Sequence, residues 1–232
     1  MTSAGWPVAL FDLDGTLVDT INLIVTSYQH AFRTVIGREW DETEIRSWIG
    51  TSLVDALHRE LGPELGAQAF RAYTEFNEAH TEELIKGYAG VPELLAALTE
   101  AGVRVGVVTS KRRRPAQWAL SLTHLDLPLL VAHEDVPVHK PDPGPLLAGA
   151  AALQAAPDQV VYVGDAVVDV QAARAAQMAV VAVSWGAAPR SDLVAARPDA
   201  LCDSPAELLA ALLGGPPGSA GQAGRESPGD GS

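Results

Sequence analysis

The chain has 232 residues, is 47% hydrophobic and 19% charged, and carries a formal net charge of −13 with a pI near 4.7. That length suits one large domain, or a core with a modest insertion, and the acidic balance argues against nucleic acid as a partner. Cys202 is the single cysteine, which excludes an intrachain disulfide and a cysteine metal site. No stretch reaches the ~20 apolar residues of a membrane span. The amino terminus lacks the basic-then-apolar pattern of a secretory signal, so no membrane partner is expected and the cytoplasm is the expected location.

Taken in order, Val8–Phe11 is an apolar run that reads as a buried strand, followed by Asp12-Leu13-Asp14-Gly15. Residues Ile21, Ile24, Val25, Tyr28, Ala31, Phe32 and Val35 recur at helical spacing, and Gly37 stops that helix. Asp41 to Trp48 is a second helix, with Asp41 at the cap and Glu44 three residues on. Ser52 to Leu61 is a third, Gly62-Pro63 breaks it, and Pro63 to Lys86 holds one long helix or two. The apolar stripe expected there is Ala69, Phe70, Tyr73, Phe76, Ala79, His80 and Leu84. No strand is expected from about Thr20 to Tyr88, so an all-helical insertion follows the first strand.

Strands and helices then alternate. Helices are expected from Val91 to Ala101, Pro115 to Leu122, Pro145 to Ala155, Val167 to Gln177, Leu193 to Arg197 and Pro205 to Leu213. Strands are expected at Val103–Thr109, Leu129–Ala132, Val160–Val163, Ala179–Val183 and Ala200–Leu201. This alternation implies right-handed crossovers and a parallel sheet, hence an α/β fold. The expected division is a core of residues 1–19 and 89–213, a helical insertion of 20–88, and a disordered Gly/Pro/Ser-rich tail of 214–232.

The chemistry-bearing residues fall at strand ends. Asp is poor inside strands, so Asp12 belongs at the carboxyl end of the first one, where open α/β sheets bind ligands. Two carboxylates there suit a nucleophile, an acid/base and a Mg²⁺ site, although Asp-x-Asp-Gly alone also describes a strand that merely ends in a turn. Thr109 ends another strand and reads locally as a helix cap before Pro115. The basic run Lys111-Arg112-Arg113-Arg114 reads as a surface turn for the three arginines, while Lys111 fits a surface or an anion site equally. Lys140, one of three lysines, precedes Pro141-Asp142-Pro143. Gly164-Asp165 ends a strand, and Asp169 follows one helical turn later on the same face.

Phe11-Asp12-Leu13-Asp14-Gly15-Thr16-Leu17, Thr109, Lys140-Pro141-Asp142-Pro143 and Gly164-Asp165-x-x-x-Asp169, in that order, resemble the four signature motifs of the haloacid dehalogenase superfamily. The resemblance covers Val8 to about Leu213 and is closest in overall pattern to its phosphoglycolate phosphatase-like group. It implies a Rossmann-like parallel sheet core with a small helical cap inserted after the first strand. It also implies a Mg²⁺-dependent phosphatase that hydrolyses a small phosphorylated metabolite, phosphoglycolate or a similar phosphomonoester, through an aspartyl-phosphate.

Under that resemblance Asp12 is the nucleophile, Asp14 the general acid/base, Thr109 a holder of a phosphoryl oxygen and Lys140 the neutralising cation. Asp12, the Asp14 carbonyl and Asp165 hold Mg²⁺, with Asp169 behind them orienting a water or Lys140. Thr16, Ser110 and Lys111 are substrate-side candidates, and Asp19 and the segment Arg46–Thr51 lie where such enzymes place cap contacts. The second carboxylate, Asp14, favours phosphoryl transfer over dehalogenation, and the absence of lysine before Lys86 in the insertion excludes the phosphonate-cleaving branch. Two positions depart from the pattern: Ala166 where relatives have Ser or Thr, and Gln177 where they have Gly. The alternatives are a sugar phosphomutase resembling β-phosphoglucomutase, a pyrophosphatase, and a non-catalytic module on the same fold. A monomer or a homodimer is expected.

Overall fold

The computed structural model describes residues 5–215. Six parallel strands form one sheet: β1 (Val8–Phe11), β4 (Arg104–Val108), β5 (Leu129–Val131), β6 (Val160–Gly164), β7 (Ala179–Val183) and β8 (Ala200–Cys202), in the order β5-β4-β1-β6-β7-β8. β1 is central, with Phe11 opposite Val107 on one side and Val163 on the other. The chain runs outward through β4 and β5, then outward the other way through β6, β7 and β8. The strand order therefore reverses beside β1, and a crevice opens at its carboxyl end.

The strands are buried on both faces, so each reads as a continuous apolar run. Their two-residue alternation divides them between two cores. Ala9, Phe11, Val161, Val163, Val181 and Val183 face α4 (Val91–Glu100), α5 (Arg113–Leu122) and α9 (Pro205–Gly214). Val8, Leu10, Val160, Tyr162, Val180 and Ala182 face α6 (Gly144–Ala152), α7 (Val167–Ala175) and α8 (Arg190–Ala196).

Between β1 and α4 lie α1 (Ile21–Ile36), α2 (Glu42–Trp48) and α3 (Leu53–Leu84), which share a third core built on Tyr28, Phe32, Trp48 and Tyr73. Local signals fix their ends. Gly37 caps α1 in the left-handed conformation at φ 72°, Asp41 accepts the Glu44 N–H at 3.0 Å, and α3 is interrupted at Gly62 with φ 76°.

Two details differ from expectation. The insertion is not wholly helical: β2 (Val18–Asp19) and β3 (Lys86–Gly87) pair antiparallel and tie its two ends together. A two-residue strand has no periodicity to detect. The inward face of α3 also turns polar past Tyr73, where Asn77 and Thr81 are buried and Phe76 and Ala79 are not. Asn77 donates to Ser27 Oγ on α1 at 3.1 Å, which satisfies the buried amide. Gln177 occupies a left-handed position at φ 58°, where glycine is the unstrained choice. Of the expected tail, Gly214 ends α9, and residues 216–232 lie outside the described residues. Among the described residues no helix is long and apolar enough to cross a membrane.

Candidate active site

Asp12 leaves β1 with its N–H bonded to the Val163 carbonyl at 2.8 Å, so the strand itself places the carboxylate at the sheet's carboxyl edge. Gly15 makes the turn that follows at φ 79°, and a Cβ there would lie 2.2 Å from Asp165 Oδ2. Glycine is required twice at this position, for its dihedral and for its lack of a side chain. Gly15→Ala is expected to destabilise the fold by about 1–3 kcal/mol and to displace Asp165, measured by urea denaturation. Wild-type stability in this variant would show that the turn relaxes freely.

Three carboxylates converge behind the turn. Asp12, Asp165 and Asp169 are buried and offer oxygens within 4.8 Å of one another. Lys140, 3% exposed, sits among them. Its Nζ donates to Asp169 Oδ1 at 2.6 Å and to Tyr162 Oη at 3.2 Å, and lies 3.1 Å from Asp12 Oδ1. Tyr162 Oη in turn donates to the Val108 carbonyl at 3.1 Å, so β6 and β4 hold the lysine from below. Asp169 also caps α7 by accepting the Ala166 N–H at 2.9 Å. The backbone makes this bond, so Ala166 needs no hydroxyl for it. Asp165 accepts the Ala187 N–H at 2.6 Å and the Thr16 hydroxyl at 2.9 Å.

Burial raises the Asp12 carboxyl from the usual 3.8 to about 7, with Lys140 opposing the shift and Asp169 and Asp14 adding to it. Burial also pushes Asp165 well above the usual range, reinforced by Asp169 and Asp12. For Lys140, burial disfavours the charged form, but Asp12 and Asp169 outweigh it and hold the ammonium protonated. One lysine thus pairs with two of the three carboxylates, and Asp165 has no cation beside it among the described residues. Asp12 Oδ1 has no hydrogen-bond partner, since the Lys140 contact lacks hydrogen-bond geometry. Three buried carboxylates with surplus negative charge, one of them carrying an orphaned oxygen, form a donor set that a divalent cation such as Mg²⁺ takes.

The remaining candidates face the insertion. The Asp14 carboxylate accepts from Thr20 Oγ1 at 2.7 Å and from Lys111 Nζ at 2.8 Å, so it stands apart from the cluster and lines the cleft. Thr109 is buried at the end of β4, and its Oγ1 accepts the Lys111 N–H at 3.2 Å. Ser110 Oγ donates to the Gly50 carbonyl at 2.8 Å, which joins the sheet edge to the turn after α2. A cleft of about 850 Å³, counted to its open mouth, separates sheet and insertion. Asp12, Asp14 and Thr109 lie on one side, and Tyr28, Trp48 and Tyr73 on the other. Trp48–Thr51 line it, while Arg46 pairs with Glu42 and Ser47 Oγ donates to the Glu44 carbonyl. Thr16 turns its hydroxyl to Asp165 and does not line the cleft. Asp19 Oδ1 accepts the Ile21 N–H at 3.4 Å, at the start of α1.

Sequence reasoning did not single out Tyr162, which stands three residues before Asp165 inside an apolar strand. A tyrosine in a run of valines was its only signal. Arg112, expected in a surface turn, lines the cleft.

The doubly wound sheet brings buried carboxylates and a lysine together at its switch point, an arrangement suited to hydrolysis of an anionic substrate. The chain belongs to the haloacid dehalogenase-like hydrolases, whose family profile matches residues 9–183. The pyrophosphatase PpaX of Bacillus cereus is 34% identical over 205 residues, covering 88% of this chain and 94% of that protein. A hydrolase from Pseudomonas syringae superposes with a TM-score of 0.80 at 27% identity, over 88% of this chain and 96% of that one. A predicted phosphoglycolate phosphatase from Haemophilus somnus does so with a TM-score of 0.79 at 25% identity, over 90% and 99%.

Proposed function

We propose that this phosphatase hydrolyses a small phosphomonoester in two steps through a phosphoryl group carried on Asp12. The observation behind this reading is the buried Asp12 carboxylate at the end of β1, which lines one cleft with Asp14 and has Lys140 behind it at 3.1 Å. In the first step an Asp12 oxygen attacks phosphorus and the bond to the leaving-group oxygen breaks, while Asp14 gives that oxygen its proton. In the second step Asp14 takes a proton from water, the water oxygen attacks phosphorus, the Asp12–phosphorus bond breaks and phosphate departs. Lys140 offsets the repulsion between the Asp12 carboxylate and an anionic substrate. The Thr109 hydroxyl holds a phosphoryl oxygen.

Asp12, Asp165 and the Asp14 backbone carbonyl would hold Mg²⁺, with Asp169 keeping Lys140 in place behind them. When bound, the ion supplies positive charge that ionises Asp12 and neutralises phosphoryl oxygens. The helical insertion, residues 20–88, acts as a cap whose closure excludes water. It restricts substrates to small molecules. The tied ends at β2 and β3 are its hinge.

Phosphoglycolate and related phosphomonoesters are the leading substrates. Pyrophosphate is the second reading, favoured by the PpaX relatives at 34% identity over 88% of this chain. The test is phosphate release from phosphoglycolate, pyrophosphate, sugar phosphates and nucleoside monophosphates, each with Mg²⁺ and with chelator. Release is expected with Mg²⁺ and is expected to fall at least about 100-fold in chelator. Equal release in chelator would remove the cation from the account, and the ranking of kcat/KM selects the substrate.

A further inference from the structure

The basic run at the start of α5 resolves into four different environments. Lys111 is bound to Asp14, Arg113 pairs with Asp135 and Arg114 is exposed. Arg112 is half-buried, lines the cleft, and carries its guanidinium 5.2 Å above the ring of Phe70 on α3. No carboxylate of the described residues lies within ion-pair distance of it. A cation that faces a cleft without a carboxylate partner is notable in a chain with a net charge of −13. The ring it covers belongs to the insertion, so Arg112 reaches from the start of α5 across the cleft to α3.

The surroundings favour an anion there. Much of the opposite wall is apolar and aromatic, through Tyr28, Trp48 and Tyr73. A poorly solvated wall strengthens a charge–charge contact. Glu78 also lines the cleft. It lies eight residues beyond Phe70 on the same helix, about 12 Å along the axis, so it does not neutralise Arg112. A guanidinium stacked on a ring keeps its edge N–H groups free to bind carboxylate or phosphate in bidentate fashion.

We propose that Arg112 binds a second anionic group on the leaving-group side of the substrate. The preferred phosphoester then carries a carboxylate or a second phosphate at that end, and neutral-ended esters are poorer. This inference rests on the phosphatase reading of the same cleft.

Calorimetric binding tests it without turnover. Three stable probes are titrated into the Mg²⁺-loaded protein: phosphonoacetate, methylenediphosphonate and methylphosphonate. At least one of the two probes with a second anion is expected to bind at least tenfold more tightly than methylphosphonate. Whichever it is assigns a carboxylate or a phosphate to the site. Arg112→Gln is expected to reduce that preference at least tenfold, and Arg112→Lys to restore part of it. No preference in the wild-type protein, or a preference that survives Arg112→Gln, overturns the proposal. Failure of the phosphatase reading would show separately, as no phosphate release from phosphoglycolate, pyrophosphate or phenyl phosphate by the wild-type protein.

Discussion

Asp12→Asn is expected to lower turnover on the order of 10⁴-fold or more while leaving the protein folded. The amide is close in shape to the carboxylate but does not attack phosphorus. Asp12 is 1% exposed and its carboxyl is raised to about 7, so its charge is held against a cost from burial. Lys140 keeps Asp169 as a partner in the variant. A pH signature follows. A carboxyl whose folded value of about 7 exceeds the usual 3.8 favours the folded state most below about pH 4, and that contribution is lost as pH rises through about 7. In chelator, Asp12→Asn should remove this part of the pH dependence, while Asp165, shifted in the same direction, keeps its own. Urea denaturation at about pH 5 and about pH 8 reads the difference. Retained turnover, or an unchanged pH slope, would contradict the placement of a charged nucleophile here.

Lys140→Ala is expected to be the most destabilising of these substitutions. It removes the ammonium paired with Asp12 and Asp169, and leaves the Tyr162 hydroxyl without its cation. Breaking a buried ion pair from one side costs about 3–5 kcal/mol. Domains are typically stable by only 5–15 kcal/mol, so the variant should sit near the unfolding threshold. Turnover should fall on the order of 10²–10³-fold in the fraction that stays folded, as the attacking carboxylate and the phosphoryl oxygens lose their counter-charge. Lys140→Arg separates the two effects. It restores charge but forces a planar, larger group into a filled site, at a cost of about 1–3 kcal/mol. Stability should recover in part and turnover should not. Wild-type stability in Lys140→Ala would show that Asp12 and Asp169 do not depend on this lysine.

The sheet was legible because buried parallel strands are short apolar runs, and β1, β6 and β7 begin where those runs begin. The polar residues at the strand ends were legible for the same reason: Asp12, Thr109 and Asp165 stand where valine and leucine stop. Helix ends followed from Asp41, Gly37 and Gly62, whose backbone or side chain solves a local problem. Contacts between distant segments were not legible. The bond from Ser110 to Gly50, the stacking of Arg112 on Phe70 and the support of Lys140 by Tyr162 join residues 22 to 60 positions apart, and no local pattern encodes them. The polar end of α3 has no local signal, because a buried Asn77 looks like a surface residue until Ser27 is seen across from it.

The most direct measurement is mass spectrometry of the acid-quenched protein during a single turnover of phosphoglycolate or pyrophosphate with Mg²⁺. A phosphoryl group on the peptide containing Asp12 should appear before phosphate is released, decay as release proceeds, and be absent from Asp12→Asn. Release at the wild-type rate with no such adduct, or an adduct on another residue, would contradict a covalent step at Asp12.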